Sequence, residues 1–132
     1  MGAVSWKSVP DEHDYPAAAS YLSLLVTGAE LNDLIRRLKA ADIGYFKAKD
    51  MLRASQLALL PVDNPHVASD LRKIKKGQSL SPVLLVRGDL ALDRVLQIAD
   101  GYHRVCASYH TDENTDIPCR IVGLADPGRA PR

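Results

Sequence analysis

Aromatic residues, cysteines and excess charge are all scarce in this sequence. Aromatic side chains account for 5% of the 132 residues, so we expect a mostly aliphatic core. Cys106 and Cys119 are too few for a disulfide framework, and we interpret both as small buried apolar residues of a cytoplasmic protein with reduced thiols. The 17 basic and 16 acidic residues leave a formal net charge of +1. That balance gives no overall attraction to nucleic acid or to an anionic membrane.

Long apolar runs are also missing. No segment approaches the roughly 18 consecutive apolar residues of a membrane-spanning helix, and residues 1–16 lack the apolar region of a signal peptide, so we expect no membrane partner. Pro10, Pro16 and the acidic cluster DEHD at residues 11–14 predict an irregular lead-in. That cluster contains metal-ligating groups, but we interpret it as a solvated loop because divalent-ion sites usually need three or four converging ligands.

The length and the apolar pattern predict one domain of the α+β class, with a small mixed sheet and flanking helices. Residues 17–60 are expected to form a helical N-terminal portion, residues 61–122 the core and residues 123–132 a flexible tail. A short helix is predicted from residue 17. Thr27 and Glu30 then predict a capping box. The helix that follows has an apolar stripe made of Leu31, Leu34, Ile35 and Leu38.

Residues 45–60 predict a further helix in this N-terminal portion. The residues expected to face inward are Phe46, Met51, Leu52 and Leu57. Its outer face is basic, and both a solvated surface and a contact with phosphate or nucleic acid stay open for Lys47, Lys49 and Arg53.

Helix and strand signals alternate in the second half of the chain. Asn64 as N-cap and Pro65 at the first helical position predict a helix that closes at Gly77. Asp63 and His66 flank the start of that helix, where functional side chains often lie, so both are candidate site residues. Apolar runs predict strands at residues 80–87, 95–99 and 117–122.

A sharp turn joins the second of these strands to a helix that begins near Tyr102. Gly101 allows a backbone conformation that a side chain would hinder. The first helical turn presents unpaired N–H groups beside His103 and Arg104. Free N–H groups, the helix dipole and a guanidinium together favour an anion, so the turn at residues 100–104 is a predicted phosphate site.

A purely structural interpretation of the same turn stays open. Asp100 can cap the following helix, and Gly101 can simply form the corner. Arg104 can pair with Asp100 at i, i+4 spacing, which contributes about 0.5 kcal/mol at an exposed site.

The turn and the elements around it resemble the ParB/sulfiredoxin superfamily over about residues 60–122. ParB proteins carry a helix ending in Gly, a P-I-x-V-R strand and a G-E-R-R-x-x-A turn into a helix. The turn DGYHR, residues 100–104, is most similar to the D-G-H-H-R turn of free-serine kinases and related ParB-like proteins. Sulfiredoxins place a cysteine where this chain has Tyr102. The residues that match the ParB pattern are Pro82, Val86, Arg87, Gly101, Arg104 and Ala107.

The resemblance implies a nucleotide, either ATP, ADP or CTP, bound together with Mg²⁺. Asp100 would orient the turn or help to hold the metal. Free-serine kinases have a catalytic carboxylate just before the first helix, and Asp63 is the nearest match, so Asp63, Asp100 and His103 are the candidate catalytic residues. The expected phosphate contacts are Gly101, Tyr102, His103 and Arg104.

Two classes of function follow from this resemblance. One is a nucleotide-dependent phosphotransferase or nucleoside triphosphatase. The other is a non-catalytic module that senses a nucleotide or binds a partner protein. A DNA-binding nuclease is a third interpretation, but strong nucleic-acid binders usually have a basic surface that this composition does not suggest. The helical portion at residues 17–60 is available to cover the site or to form a homodimer.

Overall fold

Five helices surround a four-stranded sheet in the computed structural model, which describes residues 3–124. The expected α+β class is therefore confirmed. The helices are α1 (Asp14–Leu22), α2 (Gly28–Ala40), α3 (Ala48–Ser55), α4 (Pro65–Lys75) and α5 (Tyr102–Thr111). The strands are β1 (Gly44–Lys47), β2 (Val83–Val86), β3 (Gln97–Asp100) and β4 (Asp116–Val122), and a short 3₁₀ turn covers Leu90–Leu92.

The sheet is mixed, with the strand order β1-β4-β2-β3. Strand β2 lies inside the sheet, parallel to β4 and antiparallel to β3, while β1 pairs antiparallel with β4 at the edge. All four residues of β2 are buried. A strand covered on both faces needs apolar side chains in both directions, which is why the run VLLV shows no alternation with polar residues.

Each face of the sheet has its own core. Helices α3, α4 and α5 cover one face, where the buried side chains include Met51, Val67, Val83, Leu85, Val105 and Ile117. Helices α1 and α2 cover the other face, where they include Leu22, Leu34, Leu38, Leu84 and Val86. The apolar stripe expected on the second helix is confirmed, because Leu34 and Leu38 are buried while Leu31 and Ile35 pack at the edge of that core.

The N-terminal lead-in is more regular than the sequence predicts. Helix α1 begins at Asp14, inside the supposed loop, and it includes Pro16. Proline is tolerated there because the N–H groups in the first turn of a helix have no intrahelical hydrogen-bond partner, so a missing N–H costs nothing. Trp6 also forms a short parallel bridge with Leu80. The prediction of a capping box is wrong, because Thr27 occupies the N-cap position but its side chain makes no capping hydrogen bond.

The segment after α2 also differs from the prediction. Residues Gly44–Lys47 form strand β1 rather than the start of a helix, and Phe46 is 41% exposed instead of facing inward. Pairing with β4, about 70 positions further along the chain, overrides the helical propensity of these residues. Met51 and Leu52 are buried as expected, whereas Leu57 is 40% exposed.

The start of α4 follows the predicted capping pattern. The Asn64 side chain accepts hydrogen bonds from the backbone N–H groups of His66 and Val67, at 3.0 and 3.1 Å. Gly77 follows the helix with φ of +74°, the left-handed conformation that a helix-closing glycine adopts. Most of the predicted tail, residues 125–132, lies outside the described residues. Within residues 3–124, no helix has both the length and the apolar character needed to cross a membrane.

Candidate functional site

The junction between β3 and α5 places the DGYHR turn at the end of the sheet. Gly101 is the N-cap of α5, with φ of +116°. A Cβ atom at this position would lie 2.4 Å from Cγ1 of Val83, so both the backbone conformation and the packing require glycine. No side chain caps the helix. The N–H groups of its first turn therefore have no capping side chain as a hydrogen-bond partner.

A cleft of about 250 Å³ separates this turn from one face of α4. The residues that α4 contributes recur at i, i+3, i+4 and i+7, so they share one side of the helix. They are His66, Ser69, Asp70 and Lys73, and the turn contributes Asp100, Gly101, His103 and Arg104. The cleft thus combines imidazole, carboxylate, hydroxyl and cationic groups at a helix N-terminus.

Arg104 is anchored at the side of the cleft by two carboxylates. Its Nη2 lies 2.9 Å from Oδ2 of Asp100 and 3.4 Å from Oδ2 of Asp14, and it also donates to the carbonyl oxygen of Pro82 at 3.4 Å. The i, i+4 pair of the structural interpretation therefore exists. These contacts all use Nη2, and the buried Nε of Arg104 has no hydrogen-bond partner within residues 3–124. The guanidinium keeps donors that its carboxylate partners do not use.

Asp14, which contacts Arg104, is the residue near the cleft that the sequence analysis does not predict. It is 3% exposed, although the DEHD cluster reads as a solvated loop. The Ser81 hydroxyl donates a hydrogen bond to the Asp14 carboxylate and accepts one from the backbone N–H of Asp11 at 3.0 Å. The signal that can find Asp14 is helical spacing, because Asp14, Ala18 and Leu22 lie at i, i+4 and i+8 and all three are buried.

The start of α1 also gathers groups that can ligate a metal. Ligand atoms of Asp11, His13 and Asp14 lie within 4.8 Å of one another. Two cations already contact these carboxylates, because Lys7 lies 2.8 Å from Asp11 and Arg104 lies 3.4 Å from Asp14. The hydrogen bond from Lys7 lowers the pKa of Asp11. A divalent ion would have to compete with both of these ion pairs.

Two histidines face each other across the cleft. The ring centroids of His66 and His103 are 4.6 Å apart. Burial lowers the pKa of His103, and the neighbouring His66 adds to that effect while the Asp70 carboxylate opposes it. His103 is therefore biased toward the neutral form in the free protein. An arriving anion would favour its protonation.

Both carboxyl groups of the cleft have a raised pKa. Burial raises the pKa of Asp70, against the influence of Lys73, whose Nζ lies 3.9 Å away. Burial also raises the pKa of Asp100, although the Arg104 guanidinium opposes the change. Perturbed titratable groups in a cleft are typical of functional sites.

The candidate catalytic residue Asp63 does not line this cleft. It is exposed in the turn before α4, whereas Asp70, one and a half turns into the helix, supplies the carboxylate. Tyr102 also lies elsewhere than expected, because its hydroxyl donates to the carbonyl oxygen of Ala58 and its ring packs against the core. The structure brings His66, Asp100, Gly101, His103 and Arg104 together around this cleft.

The two cysteines take no part in the cleft. Both are free and buried. Burial raises the pKa of Cys106, and it raises that of Cys119 to about 11, so both thiols stay protonated near neutral pH. Their interpretation as small apolar core residues is confirmed.

These features define an α+β domain with a small polar cleft at an uncapped helix N-terminus. Comparisons with protein-family models, with curated proteins and with solved structures gave no match. The chemistry of the cleft is therefore the basis for assigning a function.

Proposed function

We propose that the cleft binds the phosphate end of a nucleotide together with Mg²⁺, as a ParB-like nucleotide-binding domain would. The observation that carries the proposal is the uncapped start of α5 at Gly101, which lines a cleft together with Lys73 and His103. Backbone N–H groups at a helix N-terminus, supported by cationic side chains, form a common phosphate site. The likeness of the DGYHR turn to that of free-serine kinases supports the same ligand.

The size of the cleft limits how much of the ligand it holds. Its volume of about 250 Å³ is below the roughly 300–1,000 Å³ of pockets that enclose drug-sized molecules. The phosphate groups would therefore lie inside, and the nucleoside would lie across the surface. This arrangement suits ATP, ADP or CTP equally and leaves base selectivity to residues around the opening.

A phosphotransferase or nucleoside triphosphatase is the enzymatic form of this proposal. In such an enzyme, electrostatic stabilisation and positioning supply most of the catalysis. The N–H groups of α5, Lys73 and Arg104 would stabilise negative charge on the transferred phosphoryl group. Asp70, whose pKa is raised by burial, would orient the acceptor or an attacking water, in place of the candidate catalytic residue Asp63.

A non-catalytic nucleotide-sensing or partner-binding module is the second candidate. The anchoring of Arg104 by Asp14 and Asp100 favours it, because an arginine that is already paired has less charge to offer a transition state. Homodimerisation and nucleic-acid binding stay predictions of the sequence.

A thermal-shift comparison of Lys73→Ala and Lys76→Ala tests the phosphate site. Both lysines are exposed and belong to the same helix end, but only Lys73 lines the cleft. A ligand at a hundred times its dissociation constant stabilises the native state by about 2.7 kcal/mol. We expect ATP, ADP or CTP with Mg²⁺ to raise the Tm of the wild type and of Lys76→Ala, and to do so less for Lys73→Ala. The absence of a shift with every nucleotide would contradict the proposal.

Turnover then separates the two candidates. Metal-dependent release or transfer of phosphate by the wild type, lost in Asp70→Asn while nucleotide binding persists, supports the enzyme. Nucleotide binding without any turnover supports the sensing module.

A further inference from the structure

A second cavity, of about 390 Å³, opens at the other end of the sheet. Strand β2 connects the two sites, because Val83 at its start packs against Gly101 and Leu85 near its end lines this second cavity. Its walls are mainly apolar, and the side chains that form them include Met51, Ala54, Leu85, Leu96 and Ile121. None of its lining residues belongs to the polar cleft.

The loop that closes this apolar pocket is held in place by its backbone. Gly88 packs so closely that an added Cβ would lie 2.5 Å from the carbonyl oxygen of Arg94. The backbone groups of Asp89 and Arg94 exchange two hydrogen bonds of 2.9 Å, and the N–H of Leu96 donates to the carbonyl oxygen of Ala54 in α3 at 3.1 Å. The pocket is therefore preformed, so a ligand would not have to supply the free energy of ordering its walls.

The acidic side chains around the apolar pocket have partners, whereas the basic ones do not within residues 3–124. Asp50 has Arg53 at 3.8 Å, and the Asp89 carboxylate accepts a hydrogen bond from the N–H of Ala91 at 2.9 Å. Within residues 3–124, neither Arg87 nor Arg94 forms an ion pair or a side-chain hydrogen bond, and both line the pocket. Each guanidinium therefore keeps its donors for a ligand, whereas both carboxylates already have a partner.

We propose that the apolar pocket binds a small amphipathic carboxylate, with its apolar body between α3 and β2 and its carboxylate on the guanidinium of Arg94. A planar guanidinium matches a carboxylate in bidentate geometry. Apolar walls with a few placed polar groups are typical of small-molecule sites, and a volume of about 390 Å³ falls at the small end of their range. Phe46 and Leu90, which is 99% exposed, lie at its edge and extend the apolar surface available to such a ligand.

Titration calorimetry with 4-phenylbutyrate tests this pocket, with 4-phenylbutanol as the uncharged analogue. We expect the wild type to bind the carboxylate at least about tenfold more tightly than the alcohol, the difference expected for one charge-assisted hydrogen bond. Arg94→Ala should weaken carboxylate binding by a similar factor. Arg72→Ala is the matched control, since Arg72 is exposed and lies outside the pocket, and it should bind like the wild type.

Ala54→Phe tests whether the ligand lies in this pocket or elsewhere near the arginines. Ala54 is exposed and lines the cavity, so a phenyl ring at this position should fill the space without unfolding the protein, and an unchanged Tm checks this. Loss of binding in this variant supports the proposal. Unchanged binding in Ala54→Phe would overturn it, because Arg87 and Arg94 also border a separate cavity next to Leu25 and Val26.

Two results with the wild type would also overturn the proposal. One is the absence of any heat of binding with millimolar 4-phenylbutyrate. The other is equal affinity for the acid and the alcohol, which would show that the arginines do not recognise a carboxylate. Both results are independent of nucleotide binding at Gly101.

Discussion

The two cavities at opposite ends of β2 use arginine in different ways. In the polar cleft, Arg104 lies between Asp14 and Asp100, so much of its charge is already neutralised. In the apolar pocket, Arg87 and Arg94 have no such partners within the described part of the chain. A paired arginine mainly holds elements in position, whereas an unpaired one offers its charge to a ligand. An anion in the polar cleft would therefore interact mainly with the helix N-terminus, Lys73 and a protonated histidine.

Gly101→Ala is expected to have the largest effect, because it disrupts the corner on which the polar cleft is built. The new methyl group would clash with Val83, and alanine at φ of +116° is strained, so we expect a loss of about 3–5 kcal/mol in the free energy of unfolding. Gly77→Ala is the control, because Gly77 also has positive φ but no atom within 4 Å of an added Cβ. It should lose only about 1 kcal/mol. Urea denaturation measures both, and equal losses would show that packing against Val83 contributes little.

Asp14→Ala is expected to have the next largest effect, because it removes one of the two carboxylates that anchor Arg104. Breaking a buried ion pair is strongly destabilising, but Asp100 remains as a partner, so we expect a loss of about 2–3 kcal/mol. Asp11→Ala removes an exposed pair with Lys7 and should cost under about 1 kcal/mol. Urea denaturation of both variants distinguishes anchoring from a general effect of the acidic cluster. Asp14→Ala with the stability of Asp11→Ala would show that Asp100 alone suffices.

Anion binding to the polar cleft is expected to strengthen as the pH falls from 8 to 6. His103 faces His66, Asp70, Lys73 and Arg104, and its pKa is lowered in the free protein mainly by burial. A bound anion favours the protonated ring, so binding takes up a proton and the affinity rises by at most about tenfold per pH unit.

Inorganic sulfate is a suitable probe for this pH dependence, because its own charge does not change in this range. The dissociation constant can be followed by NMR titration at each pH. His103→Ala should bind sulfate with a flatter pH dependence. A steep dependence that survives in this variant would assign the proton to another group, with His66 as the first candidate.

The smallest expected effect is a gain in stability from Asp70→Asn. Burial raises the pKa of Asp70, so the native state favours the protonated form and the ionised carboxylate destabilises it above that pKa. The amide variant should therefore have a Tm a few degrees higher at pH 7, corresponding to about 1 kcal/mol or less. The difference should vanish as the pH falls below 3.8, the ordinary pKa, where the carboxyl is protonated in both states.

Thermal melts between pH 3 and pH 8 measure this difference. A gain in stability combined with loss of phosphate transfer is the usual sign of a functional carboxylate. An unchanged or lower Tm at pH 7 would show that the pairing of Asp70 with Lys73 outweighs its burial.

The features that the sequence predicts well depend on local physics. The Asn64 cap, the closing Gly77 and the corner at Gly101 each follow from the conformation of a few neighbouring residues. The buried strand β2 follows from a continuous apolar run, and the Asp100–Arg104 pair follows from i, i+4 spacing. The local sequence is therefore sufficient to locate the turn that forms one wall of the polar cleft.

The other features could not be predicted, because they depend on contacts between residues that are distant in the chain. Asp14 reaches Arg104 across 90 positions, and β1 forms only because β4 pairs with it. The packing of α4 against α5 places Asp70, rather than Asp63, in the cleft and brings His66 to His103. No local pattern encodes such contacts, since they arise when two cores close on opposite faces of one sheet. Local sequence specifies the turn at residues 100–104, and the fold selects the side chains that surround it.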